Sequence, residues 1–207
     1  MFMKQLFLSS SGDKVLRDIT TKLSKKPNEY NVAFINTAAE AKPGDHPWVR
    51  AEKDKLIEIG FNVNEFSITK MKKEEIENRL ENKQIIYFTG GSVFHLMNQL
   101  FETGCNEIIK NKIEEVIFIG SSAGSKIFGD RIDLCAKVDE GIKDSEITKN
   151  GLKIIDMTIL PHWGSEHFKE RFKNGFDQIY TEGLKIVPIT NQQYIWVKDD
   201  LIQTIQV

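Results

Sequence analysis

Cysteine is scarce in this sequence. Two, Cys105 and Cys135, occur in 207 residues, far apart and in no CxxC pattern. That excludes a secreted disulfide framework and a thiolate zinc site. Long hydrophobic runs are missing as well: nothing approaches the roughly 18 apolar residues that a transmembrane helix needs. The opening MFMKQLFLSSSGDK carries too short an apolar run for a signal segment, leads into a polar helix, and reads as a first buried strand. An excess of positive charge is also absent. The formal net charge is −2 and no long basic run appears, which argues against a nucleic-acid binder. These absences leave a cytoplasmic protein. Hydrophobic residues at 40% and charged residues at 28% are ordinary for a globular chain, and its length suits one domain over residues 1–207.

Short apolar runs alternate with longer amphipathic ones. Gln5–Leu8, Asn31–Asn36, Phe61–Phe66, Gln84–Phe88 and Glu115–Ile119 read as strands. Lys14–Leu23, Trp48–Ile59, Lys72–Leu80 and Val93–Phe101 read as helices between them, the second closed by Gly60. Strands that are apolar on both faces and joined by helices belong to a parallel sheet covered on both sides. The expected fold class is therefore α/β, with a doubly wound, mostly parallel sheet and its site at the carboxyl ends of the strands. The last third is less regular. Residues 129–150 read as a loop, Ile154–Leu160 as a strand and His167–Tyr180 as a helix. Lys185–Ile189, Tyr194–Val197 and Ile202–Val207 read as closing strands, partly antiparallel.

The chemistry concentrates at Gly120-Ser121-Ser122-Ala123-Gly124, a G-x-S-x-G pattern that follows an apolar strand and precedes a short helix. Glycines at both ends let the backbone bend tightly, Ala123 keeps the turn small, and its N–H is then aimed at a developing oxyanion. The alternative is a glycine-rich turn that cradles an anion. Ser122 stands at the nucleophile position. Cys105 has no such setting. Of the four histidines, His46, His95 and His167 read as loop or helix positions, whereas His162 follows an apolar strand and Pro161 and is the candidate general base. Thr89-Gly90-Gly91-Ser92 ends another strand and offers backbone N–H groups for a second half of an oxyanion hole.

Four segments, YFTGGS at 87–92, IGSSAGS at 119–125, ILPHWG at 159–164 and PITNQQYIWV at 188–197, together resemble the peptidase E family of serine dipeptidases and the related cyanophycinases. KQLFLSSSG and NVAFINTAA fit as well, so the resemblance spans nearly the whole chain. It implies a flavodoxin-like fold of the class I glutamine amidotransferase type, with Ser122 as nucleophile, His162 as base, and the Gly91 and Ala123 N–H groups as oxyanion hole. It further implies hydrolysis of Asp-X dipeptides without cofactor or metal, by a monomer or homodimer acting on a small peptide.

Two positions depart from the family pattern. Ser92 stands where GGN is usual, and no acid stands in Thr190-Asn191-Gln192-Gln193, where Asn191 aligns with the third triad member. An asparagine can hold a histidine tautomer but cannot stabilise an imidazolium by charge. Asp139, Glu140 and Asp156 are the acidic alternatives. Arg171, Lys126, Arg131 and Lys169 are candidate cations for a substrate carboxylate, with arginine suited to bidentate binding. The alternative functions are a non-catalytic ligand-binding member of the fold and a hydrolase of another peptide or isopeptide linkage. An α/β-hydrolase esterase fits less well, because that fold usually needs a longer chain with an acid between serine and histidine.

Overall fold

The structure is a computed structural model and describes residues 3–135, 150–180 and 183–207. Five strands form the parallel body of the central sheet: β1 (Gln5–Ser9), β2 (Asn31–Ile35), β3 (Asn62–Phe66), β4 (Ile85–Phe88) and β5 (Ile117–Ser121). Two more, β8 (Gln193–Lys198) and β9 (Leu201–Gln206), extend it antiparallel, giving the order β3-β2-β4-β5-β1-β8-β9. The fold is thus α/β with a mostly parallel sheet, as the alternation of apolar runs indicates.

The period-2 pleat sorts the strand residues onto two faces. Leu6, Leu8, Ala33, Ile35, Ile86, Phe88 and Phe118 pack with α3 (Lys73–Leu80), α4 (Val93–Glu102) and α5 (Cys105–Lys112). Phe7, Val32, Phe34, Ile85, Tyr87 and Ile119 pack with α1 (Gly12–Thr20) and α2 (Pro47–Ile59). Each large apolar side chain buried this fully contributes about 1.5–3 kcal/mol, whereas exposed ion pairs such as Arg50–Asp45 are screened by solvent and add little. The two apolar layers therefore hold the sheet in place.

Several boundaries differ from expectation for local reasons. α1 stops at Thr20 instead of Leu23, because the Thr20 and Thr21 hydroxyls donate to the carbonyls of Arg17 and Asp18 and turn the chain out of the helix. α5 is an addition to the expected elements. Gly104, at φ 73°, separates it from α4. The expected strand Ile154–Leu160 shrinks to β6 (Thr158–Leu160), since the N–H groups of Ile154 and Ile155 donate to Phe128 O at 3.0 and 3.1 Å. Lys185–Ile189 does not close the central sheet. Its core β7 (Ile186–Pro188) pairs in parallel with β6 as a separate ribbon, because β8 already occupies the free edge of β1 along its full length. The expected helix over His167–Tyr180 is a 3₁₀ turn at Glu166–Phe168 followed by α7 (Lys169–Ile179). Within the expected loop 129–150, a 3₁₀ turn covers Asp133–Cys135 and Arg131 bridges Asn150. Asp139 and Glu140 lie outside the described residues. Among the described residues, no helix is long and apolar enough to cross a membrane.

Candidate active site

Parallel strands discharge their chains at one edge, and β1, β4 and β5 lie side by side there. Ser9 and Ser121 are paired in register at the ends of β1 and β5. The residue that follows β5 is Ser122, held at φ 50° and ψ −109°, outside the ordinary regions for an L-residue. It leads directly into α6 (Ala123–Lys126).

The turn is tight enough to dictate its neighbours. A Cβ on Gly120 would lie 2.4 Å from Gly124 O, and one on Gly124 would lie 2.1 Å from Phe88 O. Both are backbone atoms that cannot swing away. Hydrogen bonds lock the turn to β1: Ser122 N and Ser125 Oγ both donate to Ser9 O, at 2.9 and 2.6 Å, and Ser9 Oγ donates to Gly120 O at 2.9 Å. The Gly90-Gly91 turn closes over it. A Cβ on Gly90 would lie 3.2 Å from Ser122 Cβ, and one on Gly91 (φ 146°) would strike Ala38 O at 2.1 Å.

His162 reaches this edge from the β6–β7 ribbon. Its Nε2 lies 2.8 Å from Ser122 Oγ, and its Nδ1 lies 2.8 Å from Asn191 Oδ1. His162 itself sits at φ 65°. Its ring stacks on Phe168 at 4.3 Å and 5° between planes, and the Arg171 guanidinium lies over the Phe168 ring, 5.2 Å from its centroid. Burial lowers the His162 pKa below its ordinary value. The bond to Asn191 pulls it up, while the charges of Lys126, His167 and Arg171 push it down. The ring is thereby kept neutral to lower pH than a free histidine.

Asn191 is joined by a residue that the sequence reading did not single out. Ser10, only 1% exposed, donates to Asn191 Oδ1 at 2.8 Å and accepts from the His162 backbone N–H at 2.7 Å. The signal was present as the serine run after β1, next to the strand that carries Ser122.

A cavity of about 700 Å³ opens beside Ser122 and His162, lined also by Gly91, Ala123, Lys126 and Arg171. Of the four candidate cations, Lys126 and Arg171 line it. Arg131 is bound to Asp133, and Lys169 pairs with Glu166 at 3.0 Å beside a neighbouring depression. Asp156 is on the surface, paired with Lys185, and is not part of the His162 network.

Glu52 of α2 also borders the cavity and is a second residue missed in the sequence. It accepts from Gly12 N at 3.3 Å and from the Ser121 hydroxyl. Burial pushes its pKa up to about 7, against the pull of the hydroxyls of Ser121 and Tyr87. The remaining histidines have other surroundings. His46 packs on Trp48, His95 lies 3.8 Å from Glu40, and His167 borders the cavity with its ring edge-on to Phe168. Cys105 is buried at the start of α5, and burial raises its thiol pKa to about 12.

Fold and geometry together define a class: α/β proteins with a flavodoxin-like sheet whose central strand turns sharply into a serine hydrogen-bonded to a histidine. Residues 6–205 match the model of peptidase family S51, and the chain belongs to that family, which makes it a serine peptidase of the hydrolase class. It is 31% identical over 204 residues to an uncharacterized peptidase of Listeria innocua, covering 98% of this chain and 96% of the relative. An uncharacterized peptidase of Pasteurella multocida is 27% identical over 201 residues, covering 96% and 95%. A crystal structure of a candidate peptidase E protein from Listeria monocytogenes EGD-e superimposes with a TM-score of 0.88 at 30% identity, over 99% of each chain. A peptidase from an acI-B1 Actinobacterium shares the fold, with a TM-score of 0.72 at 18% identity, over 99% of this chain and 88% of the other.

Proposed function

We propose that the protein is a serine dipeptidase that releases an N-terminal aspartate from Asp-X peptides through an acyl-enzyme on Ser122. The observation that carries this reading is the chain of two 2.8 Å hydrogen bonds from Ser122 Oγ to His162 Nε2 and from His162 Nδ1 to Asn191 Oδ1, built on a strained strand-to-helix turn.

In this mechanism Ser122 Oγ attacks the peptide carbonyl carbon while His162 Nε2 takes its proton. The carbonyl oxygen becomes an oxyanion, stabilised by the N–H groups of Gly91 and Ala123. The tetrahedral intermediate collapses, the C–N bond breaks, and His162 returns the proton to the leaving amine. A water, deprotonated by His162, then attacks the acyl-enzyme and releases the acid and free Ser122. Asn191 holds the Nδ1–H tautomer throughout. Arg171, beside the cavity, binds the substrate's β-carboxylate. Support for an acidic substrate comes from the positive charge of Arg171 and Lys126 on the cavity wall and from the family resemblance.

The neutral Asn191 favours, as the alternative, a relative acting on a different peptide or isopeptide linkage, or a ligand-binding protein with a weakened base. Hydrolysis of Asp-Leu, Glu-Leu, Ala-Leu and β-Asp-Leu by wild type, Ser122→Ala and Arg171→Ala separates these readings. The expected result is cleavage of Asp-Leu alone, reduced by roughly 10⁴-fold or more in Ser122→Ala and weakened through KM in Arg171→Ala. Cleavage confined to β-Asp-Leu would move the assignment to an isopeptidase. Folded protein that cleaves none of them and whose Ser122 resists a serine-directed acylating probe would mark a binding protein.

A further inference from the structure

We propose that Ser10 is a positioning residue that fixes the Asn191 amide with its carbonyl toward His162 and thereby keeps His162 in the tautomer whose Nε2 is free to accept the Ser122 proton.

Ser10 Oγ has one hydrogen to give. The His162 backbone N–H, 2.7 Å away, can only donate, so Ser10 is its acceptor. The Ser10 hydrogen then has two possible acceptors, Asn191 Oδ1 at 2.8 Å and His162 Nδ1 at 3.2 Å. The shorter contact selects Oδ1. With the amide oxygen between Ser10 and His162, Nδ1 must carry a hydrogen and donate to it at 2.8 Å, which leaves Nε2 bare and facing Ser122 Oγ. The reversed amide would present an N–H to Nδ1. His162 would then carry its hydrogen on Nε2 and could not take a proton from Ser122.

A carboxylate at this position would be immune to that reversal, because both of its oxygens accept. Asparagine is not, since its two ends differ only in hydrogen-bonding sense. Ser10 supplies the direction that the missing acid would have supplied without help. Ser10 is buried at the end of β1, and β1 is hydrogen-bonded to β5, which carries Ser122. One strand thus sets the register of the nucleophile and the polarity of its base.

This inference rests on the serine-peptidase reading, but its test does not depend on turnover. The tautomer of His162 is read by ¹⁵N NMR of the imidazole in wild type, Ser10→Ala, Asn191→Asp and the double variant, and Ser122 acylation by a serine-directed probe is timed in each. Wild type should show hydrogen on Nδ1. Ser10→Ala should populate the Nε2–H form and slow acylation on the order of 30-fold. In the Asn191→Asp background the same Ser10→Ala change should leave Nδ1–H intact and cost less than about fivefold, that remainder being the lost bond to the His162 backbone. Should Ser10→Ala not fold, the near-isosteric Ser10→Cys is measured in the same two backgrounds, with the same ordering expected. An Nε2–H tautomer in wild type, an unchanged tautomer in the Ser10 variant, or equal losses in the two backgrounds would overturn the proposal. If wild type cleaves no peptide and resists acylation, the peptidase reading fails, and the NMR result still decides the role of Ser10.

Discussion

The two sides of the site are built on opposite plans. Ser122 belongs to the middle of the sheet, where β5 lies between β4 and β1 and the glycines of its turn leave no room for a Cβ against the backbone of Phe88 and Gly124. His162 comes from a ribbon of two three-residue strands, which packs on the main core through Ile159 and Val187 and on a small second cluster through Leu160, Phe172 and Ile186, and is followed by the exposed Trp163. The serine side is fixed by close backbone contacts at Gly120 and Gly124 and by the hydrogen bonds that tie the turn to Ser9, which together hold its strained backbone. The histidine side is fixed by hydrogen bonds and stacking, through Ser10, Asn191 and Phe168. A site built this way should break differently on each side. Damage to the turn should cost stability together with function. Damage to the histidine network should cost function alone.

Gly124→Ala is the hardest blow to the serine side. Its Cβ would meet Phe88 O at 2.1 Å, so β4 and the turn must separate. The expected loss is about 3 kcal/mol, seen as a fall in Tm of about 10 °C, with activity lost as well. An unchanged Tm in a thermal melt would mean the turn is looser than these contacts require.

Glu52→Gln sharpens the comparison from beneath the same turn. The folded chain holds the Glu52 proton more tightly than the unfolded chain does, with a pKa raised from 4.5 to about 7. Stability is therefore lost as pH rises from about 4.5 to about 7 and stays lost above that. The shift corresponds to about 3 kcal/mol. A glutamine retains the acceptor for Gly12 N and Ser121 without that titration. Denaturant unfolding at pH 5 and pH 8 should show the variant gaining on wild type at the higher pH, and parallel curves would remove Glu52 as the cause.

Asn191→Asp acts on the histidine side. A carboxylate beside Nδ1 favours the imidazolium and raises the His162 pKa, so the acid limb of the kcat/KM profile should move up by about one pH unit. Tm should move by less than about 2 °C. A large change in Tm without a shift of the limb would show that Asn191 acts as scaffold and not through the ring.

Much of the serine side was legible in the linear chain, because it is local. A strand, two glycines and a small residue within five positions dictate the turn around Ser122, and only a short stretch of backbone is needed to state the constraint. Apolar runs of four or five residues likewise announced β1, β2, β4 and β5, since strands buried on both faces have no polar alternation to obscure them, whereas β3, at the sheet edge, is buried only at Phe66. The C-terminal third was read less well. Ile154 and Ile155 carry strand-like side chains, yet their N–H groups are claimed by Phe128 O, a partner far away in sequence. Lys185–Ile189 is apolar enough for the central sheet but arrives where β8 already holds the edge.

The sequence by itself determined the doubly wound sheet, the strained turn at Ser122 and the placing of His162 after an apolar run, because each follows from side chains within a few positions of one another. Tertiary structure alone decided that His162 reaches Ser122 from a separate ribbon, that Ser10 ties the His162 backbone to Asn191, and that Glu52 lies buried under the turn. Those pairs are 40 to 181 residues apart. A hydrogen bond carries no record of its partner in the chain, so only the folded chain brings such groups together.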